Sequence, residues 1–341
     1  MDSGVIAALI TAVIAILVAL VSGWFSLRSV RDVERLRHTY EAIDRLGGAT
    51  GALRLQLFLS TRSVVQRLRQ YYNGRPEHPF PLRAERDGWP ESQYHACGLL
   101  IFRLMRPLAV SYMIEQETLL GDLLLEPAMV DLLRFNHAAF EMLTGDRLGE
   151  EFEGRQRFPD FEMEHCYDPP GRRPPPASRA PVPPFQRVRA SYLRSAAGAL
   201  IVSEPDRKPQ RRCMTHDEFL DRWERPGESD EIREFHGRLA PVKATIDKFS
   251  PMDNAVFWLR LVGYAYVCKW FHDRVREDAK RKDVGVHYTP VELPVRAMLE
   301  VAEGQARKLK AADPQAAGRG YLTQNADAYE KRFEEIIATA L

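Results

Sequence analysis

The stretch SPMDNAVFWLRLVGYAYVCKWFHDRVREDAKR, Ser250–Arg281, decides the reading of the fold. Ser250 can cap a helix and Pro251 suits its first turn, where a missing N–H costs nothing. Phe257, Trp258, Leu261, Tyr264, Tyr266, Trp270 and Phe271 then occupy most of the helix circumference. A helix apolar on nearly every side belongs in the middle of a core, so this one is expected to be central. Helical periodicity continues on both sides of it. Towards the C-terminus, Thr289, Pro290 and Glu292 suggest a further capped helix, and 322–340 a last one. Towards the N-terminus the pattern marks helices over 230–248, bent at Pro241, and over 186–202. Thr215 and Glu218 have the spacing of a capping box ahead of Phe219 and Leu220. No alternating strand pattern and no internal repeat stands out, so the fold class is all-α.

Residues 168–185 read DPPGRRPPPASRAPVPPF, eight prolines in eighteen positions. Proline fixes φ and removes a donor, so this segment is expected to be an extended linker or loop. It divides a juxtamembrane helical region, 28–167, from a C-terminal helical region, 186–341. In the first region, helices are expected over 51–72, 96–114 and 128–144, with Gly145 as a C-cap candidate. The 96–114 segment is apolar enough to suggest a membrane span. Arg103 and Arg106 near its middle would each cost about 2.5–3.5 kcal/mol in a bilayer, which favours a buried helix kinked at Pro107.

Ahead of all this lies GVIAALITAVIAILVALV, Gly4–Val21, in which Thr11 is the only polar side chain. Continued through Leu27, the run reaches the roughly 20 residues that a hydrocarbon core requires. Trp24 falls at headgroup level. Arg28, Arg31, Arg35 and Arg37 follow, against Asp2 alone before the run. Arginine stays on the cytoplasmic side, so residues 1–27 are expected to anchor the chain in the inner membrane with its N-terminus outside. The acidic n-region and the long apolar stretch argue against a cleaved signal peptide. Four scattered cysteines fit a reducing compartment. Apolar positions from Leu27 to Ile43 allow either a short coiled coil joining subunits through the 27–46 helix or an amphipathic helix packed on its own domain.

The chain has 341 residues and a net charge of +1, so no global field draws it to nucleic acid, and none is expected as a partner. The charge is unevenly laid out. Between Arg45 and Arg75 there are six arginines and no acid, whereas Glu115 to Glu150 holds eight acids and two arginines. Arg54, Arg62 and Arg69 can share a helix face and form a candidate surface for anionic lipid headgroups; neutralisation by a packed acidic helix is the competing reading. Metal donors are few. His165–Cys166 and the Cys213-x-x-His216 pair could supply a tetrahedral zinc set, though only one half has chelate spacing. The His216–Asp217 and His272–Asp273 dipeptides, with His236 and Asp313, suggest the donors of a helical metal-dependent phosphohydrolase. With nine histidines, one following aspartate is expected about once by chance. Phosphate loops, nucleophile elbows and Cys-x-x-Cys pairs are missing from the sequence, and no cofactor is expected.

These features point first to a single-pass, membrane-anchored cytoplasmic helical protein acting by interaction, as a scaffold, sensor or regulatory partner. A membrane-tethered metal phosphohydrolase and a membrane-acting toxic or defence effector are the alternatives.

Overall fold

The computed structural model describes residues 51–70, 72, 91–117, 127–145, 148, 188–203, 211–247, 255–281, 290–300 and 326–340. The apolar run, Trp24, Arg28, Arg31, the stem, the Pro-rich segment, His165, Cys166 and Asp313 lie outside them. The described residues form helices α1 (51–70), α2 (Glu91–Glu117), α3 (Pro127–Thr144) and α4 (Ala190–Ala199). A two-stranded ribbon, β1 (Ile201–Ser203) and β2 (Arg211–Cys213), follows. Then come α5 (His216–Trp223), α6 (Asp230–Asp247), α7 (Ala255–Arg281), α8 (295–300) and α9 (Ala326–Ala338).

Helix α7 is the central element its aromatic circumference implies. Phe257, Trp258, Leu261, Tyr264 and Phe271 are all buried. Three polar groups on α7 tie it to three other helices. Trp258 Nε1 donates to the Met298 carbonyl at 2.9 Å, Tyr264 Oη to the Leu104 carbonyl at 2.9 Å, and Arg260 Nη1 to the Met142 carbonyl at 3.2 Å. A buried N–H or O–H left without a partner is costly, so these bonds fix the register of α7 against α8, α2 and α3. Gly263 lets α3 and α9 come close: a Cβ there would lie 2.8 Å from Met142 Sδ and 2.9 Å from Phe333 Cε1.

Helix α2 contains the one stretch, Cys97–Gln116, that among the described residues is long and apolar enough to cross a membrane. Of that stretch, 78% is buried inside the protein, so its hydropathy is that of a core helix. Arg106 lies over the Phe102 ring at 5.5 Å. Ser111 Oγ donates to Asn136 Oδ1 at 3.0 Å and Asn136 Nδ2 to Glu115 Oε2 at 2.8 Å, a polar seam joining α2 to α3. Helices from both sides of the Pro-rich segment bury their apolar faces in one cluster, from Leu53 to Ile337.

Two local expectations are corrected. The 186–202 helix is shorter: α4 stops at Ala199, and the backbone turns into β1, which pairs antiparallel with β2 in the register Ile201↔Cys213. Each strand has three residues, too few to show an alternating pattern. Leu200 closes α4 and its carbonyl accepts from Met214 N at 2.8 Å, which draws the two strands together. The helix expected near Thr289 starts later, with Met298 N donating to the Pro294 carbonyl at 2.9 Å. Glu292 is freed from a capping role and reaches Arg69 instead, at 3.3 Å. Gly145 does follow the end of α3 at Thr144, its N–H donating to the Glu141 carbonyl at 2.7 Å, though without a left-handed φ; a positive φ among the described glycines occurs at Gly227, in the turn between α5 and α6.

The capping box forms as its spacing implies. Glu218 N donates to Thr215 Oγ1 at 3.3 Å and Thr215 N to Glu218 Oε2 at 2.8 Å. Arg212 grips the same carboxylate through both terminal nitrogens, at 2.7 and 2.6 Å. That fork, followed by the Thr215 backbone bond, lowers the Glu218 carboxyl to about 2. The cap thus also locks β2 onto α5.

Candidate interaction surface

Helix α1 has the best-supported candidate face. Its 20 residues, GALRLQLFLSTRSVVQRLRQ, carry four arginines and no acid. Leu53, Leu57, Phe58, Val64, Val65 and Leu68 are buried and hold the helix to the body. On the opposite side Leu55 and Leu59 are 52% and 50% exposed, the large apolar side chains left open among the described residues. They stand four apart, so they form one ridge, continued by exposed Gln66 and Gln70. At 3.6 residues per turn, Arg62 and Arg69 border this ridge on one side and Arg67 on the other.

The arginines singled out by their spacing are therefore flanking groups rather than the centre of the face. Arg54, Arg62 and Arg69 are each half-buried. Arg69 makes a surface pair with Glu292, of the kind worth little in stability. Of the acidic stretch, Asp131 faces Arg134 at 3.8 Å and Arg274 at 3.6 Å.

Arg62 borders a second feature, on the buried side of α1. His272 of α7 is fully buried and stacks on Phe58, with ring centroids 4.4 Å apart and planes inclined by 16°. Neither ring nitrogen has a hydrogen-bond partner, and the buried Nε of Arg62 and Arg276 lack one too. Asp273 Oδ1 is 3.8 Å from His272 Nδ1, but Oδ2 is taken by Lys269 Nζ at 2.6 Å. Burial pushes the His272 pKa below 6.5, with the Arg62 and Arg276 charges acting the same way and Asp273 opposing them.

A consequence for stability follows. The unfolded chain takes up a proton at His272 near 6.5, and the folded chain does so only at lower pH. Stability is therefore full above 6.5 and declines as the pH falls through that value. His236, half-buried and also lowered chiefly by burial, adds to the same slope. His272→Leu keeps the volume and removes two unpaired nitrogens. Unfolding midpoints should be unchanged or higher near neutrality and less acid-sensitive than in the parent; an unchanged acid slope would refute this assignment.

The remaining metal candidates are dispersed. His216, at the start of α5, lies edge-on to Phe102 and 3.1 Å from Asp217. His236 packs against Trp223 and its Nε2 donates to the Arg222 carbonyl at 3.0 Å. The Cys213 thiol is buried and raised to about 11, so it is protonated at neutral pH. Among the described residues no three His, Cys, Asp or Glu side chains are grouped to hold a metal ion. Each of these side chains has a packing role that its spacing in sequence does not reveal. The Leu55–Leu59 ridge is not legible in the sequence, where Leu53, Leu55, Leu57 and Leu59 look like ordinary core, and only the packing of the body shows which are left out. No family model, curated protein or solved structure matches the chain.

Proposed function

We propose that this is a single-pass, membrane-anchored helical protein whose cytoplasmic body acts by interaction, as a scaffold, sensor or regulatory partner. The observation that supports it best is the exposed Leu55–Leu59 ridge. Among the described residues these two leucines are the large apolar side chains left exposed, and they lie on the described helix nearest in sequence to the apolar run. Solvent exposure of two adjacent leucines is unfavourable by about 25 cal/mol per Å2, which a binding partner relieves. The apolar run Gly4–Val21 and the arginines behind it support the anchor and its orientation.

Two measurements test the proposal. A reporter fused to the C-terminus should be active only in its cytoplasmic form; activity of a periplasmic reporter would overturn the orientation. A photo-reactive residue at position 55 or 59 of the full chain, activated in intact cells, should give a defined adduct that the same probe at Lys331, exposed on α9, does not. If neither position gives a protein or a lipid adduct, the ridge is not an interaction surface.

A further inference from the structure

The occupant of the ridge can be argued from its charge, size and place in the chain, and this step rests on the interaction reading above. We propose that the exposed face of α1 docks on the anionic phospholipid headgroups of the membrane that holds the chain. Leu55 and Leu59 enter the headgroup layer, and Arg69 beside them exchanges Glu292 for a lipid phosphate.

Charge selects against a second copy of the same surface. Helix α1 carries four arginines and no acid, and arginine flanks the ridge on both sides, so two such faces brought together set like charges against each other. An acidic surface is the complement. Size points the same way. A stable protein interface buries about 1,200 Å2 or more, far beyond what two half-exposed leucines supply. Shallow insertion into a bilayer needs no such area, because apolar tips flanked by basic side chains suffice when a tether adds its own contribution. Here the tether is short: Leu55 and Leu59 follow Leu27, the end of the expected anchor, by 28 and 32 positions. A body held that close meets the leaflet at high effective concentration. Arg69 suits this role, since its side chain is 43% exposed and its head lies at the surface beside Glu292.

The test uses the full chain, with Cys166 replaced by serine, reconstituted into vesicles. Cys97, Cys213 and Cys268 are buried and give little background. An environment-sensitive fluorophore is placed on Leu59→Cys, with Lys331→Cys as the reference. In phosphatidylserine–phosphatidylcholine vesicles the position-59 probe should shift to the blue and be quenched by brominated lipid, and added salt should reverse both changes. In phosphatidylcholine alone it should resemble the reference. Arg69→Gln, at a side chain 43% exposed, should reduce the docked-to-free ratio about fivefold. Equal spectra in the two vesicle types, or an unquenched probe in both, overturn the proposal. The two readings fail separately. A protein adduct at position 59 in cells with no vesicle response leaves the interaction reading standing and removes the lipid one. If both experiments are negative, both readings fall.

Discussion

Replacing Trp223 by alanine should lower the unfolding free energy by about 3–5 kcal/mol, the range for truncating a large buried aromatic. Trp223 ends α5 and is fully buried. Its ring stacks on Phe219 at 5.8 Å and inclines against His236 at 5.4 Å, so it joins α5 to α6. On its other side α2 approaches at Gly98, where a Cβ would lie 2.6 Å from the indole Nε1. The indole is rigid, so even a methyl group at 98 requires the helices to separate. The two positions are therefore coupled. Gly98→Leu should destabilise the parent strongly, yet recover part of the loss in the Trp223→Ala background, where its side chain enters the vacated volume. Urea unfolding of the full chain in detergent, followed by circular dichroism, reads both effects. Additive losses would show that α2 does not pack on Trp223.

Gly263→Leu should have the next largest effect, about 3 kcal/mol, because it overfills a contact with no free volume. A Cβ at 263 already meets Met142 Sδ at 2.8 Å and Phe333 Cε1 at 2.9 Å, and both of those side chains are fully buried. Gly263→Ala is a gentler case. Its methyl displaces the flexible end of Met142 and also presses on the Phe333 ring, and the gain of about 1 kcal/mol in helix propensity over glycine offsets part of that cost. A Leu variant as stable as the Ala variant would mean that α3 and α9 do not converge on α7. The same contact explains how α9, close to the end of the chain, is held to α7: Phe333 is its fully buried anchor, and Tyr266 Oη donates to Glu334 Oε1 at 3.1 Å.

The sequence alone determined most of the described helical segments and which helix is central. Period, caps and an aromatic circumference are local properties, and α7 ends at Arg281 as its pattern implies. The same holds for the Thr215–Glu218 cap, whose two bonds lie within one turn. The buried character of α2 was also legible, since Arg103 and Arg106 are costly in lipid but affordable where their heads reach the surface of a protein. Two kinds of feature were not legible, because they depend on contacts between distant residues. The β1–β2 ribbon is too short to carry a period, and it forms because Leu200 and Met214 meet. The candidate face is the second case. Leu53, Leu55, Leu57 and Leu59 are chemically identical in sequence, and only packing against the body buries the first and third and leaves the second and fourth in solvent. His272 likewise looks like a metal donor beside its aspartate, until Phe58, more than two hundred positions away, closes over its ring. Local interactions set the elements of this protein; the long-range contacts of its helices decide which side chains are left free to act.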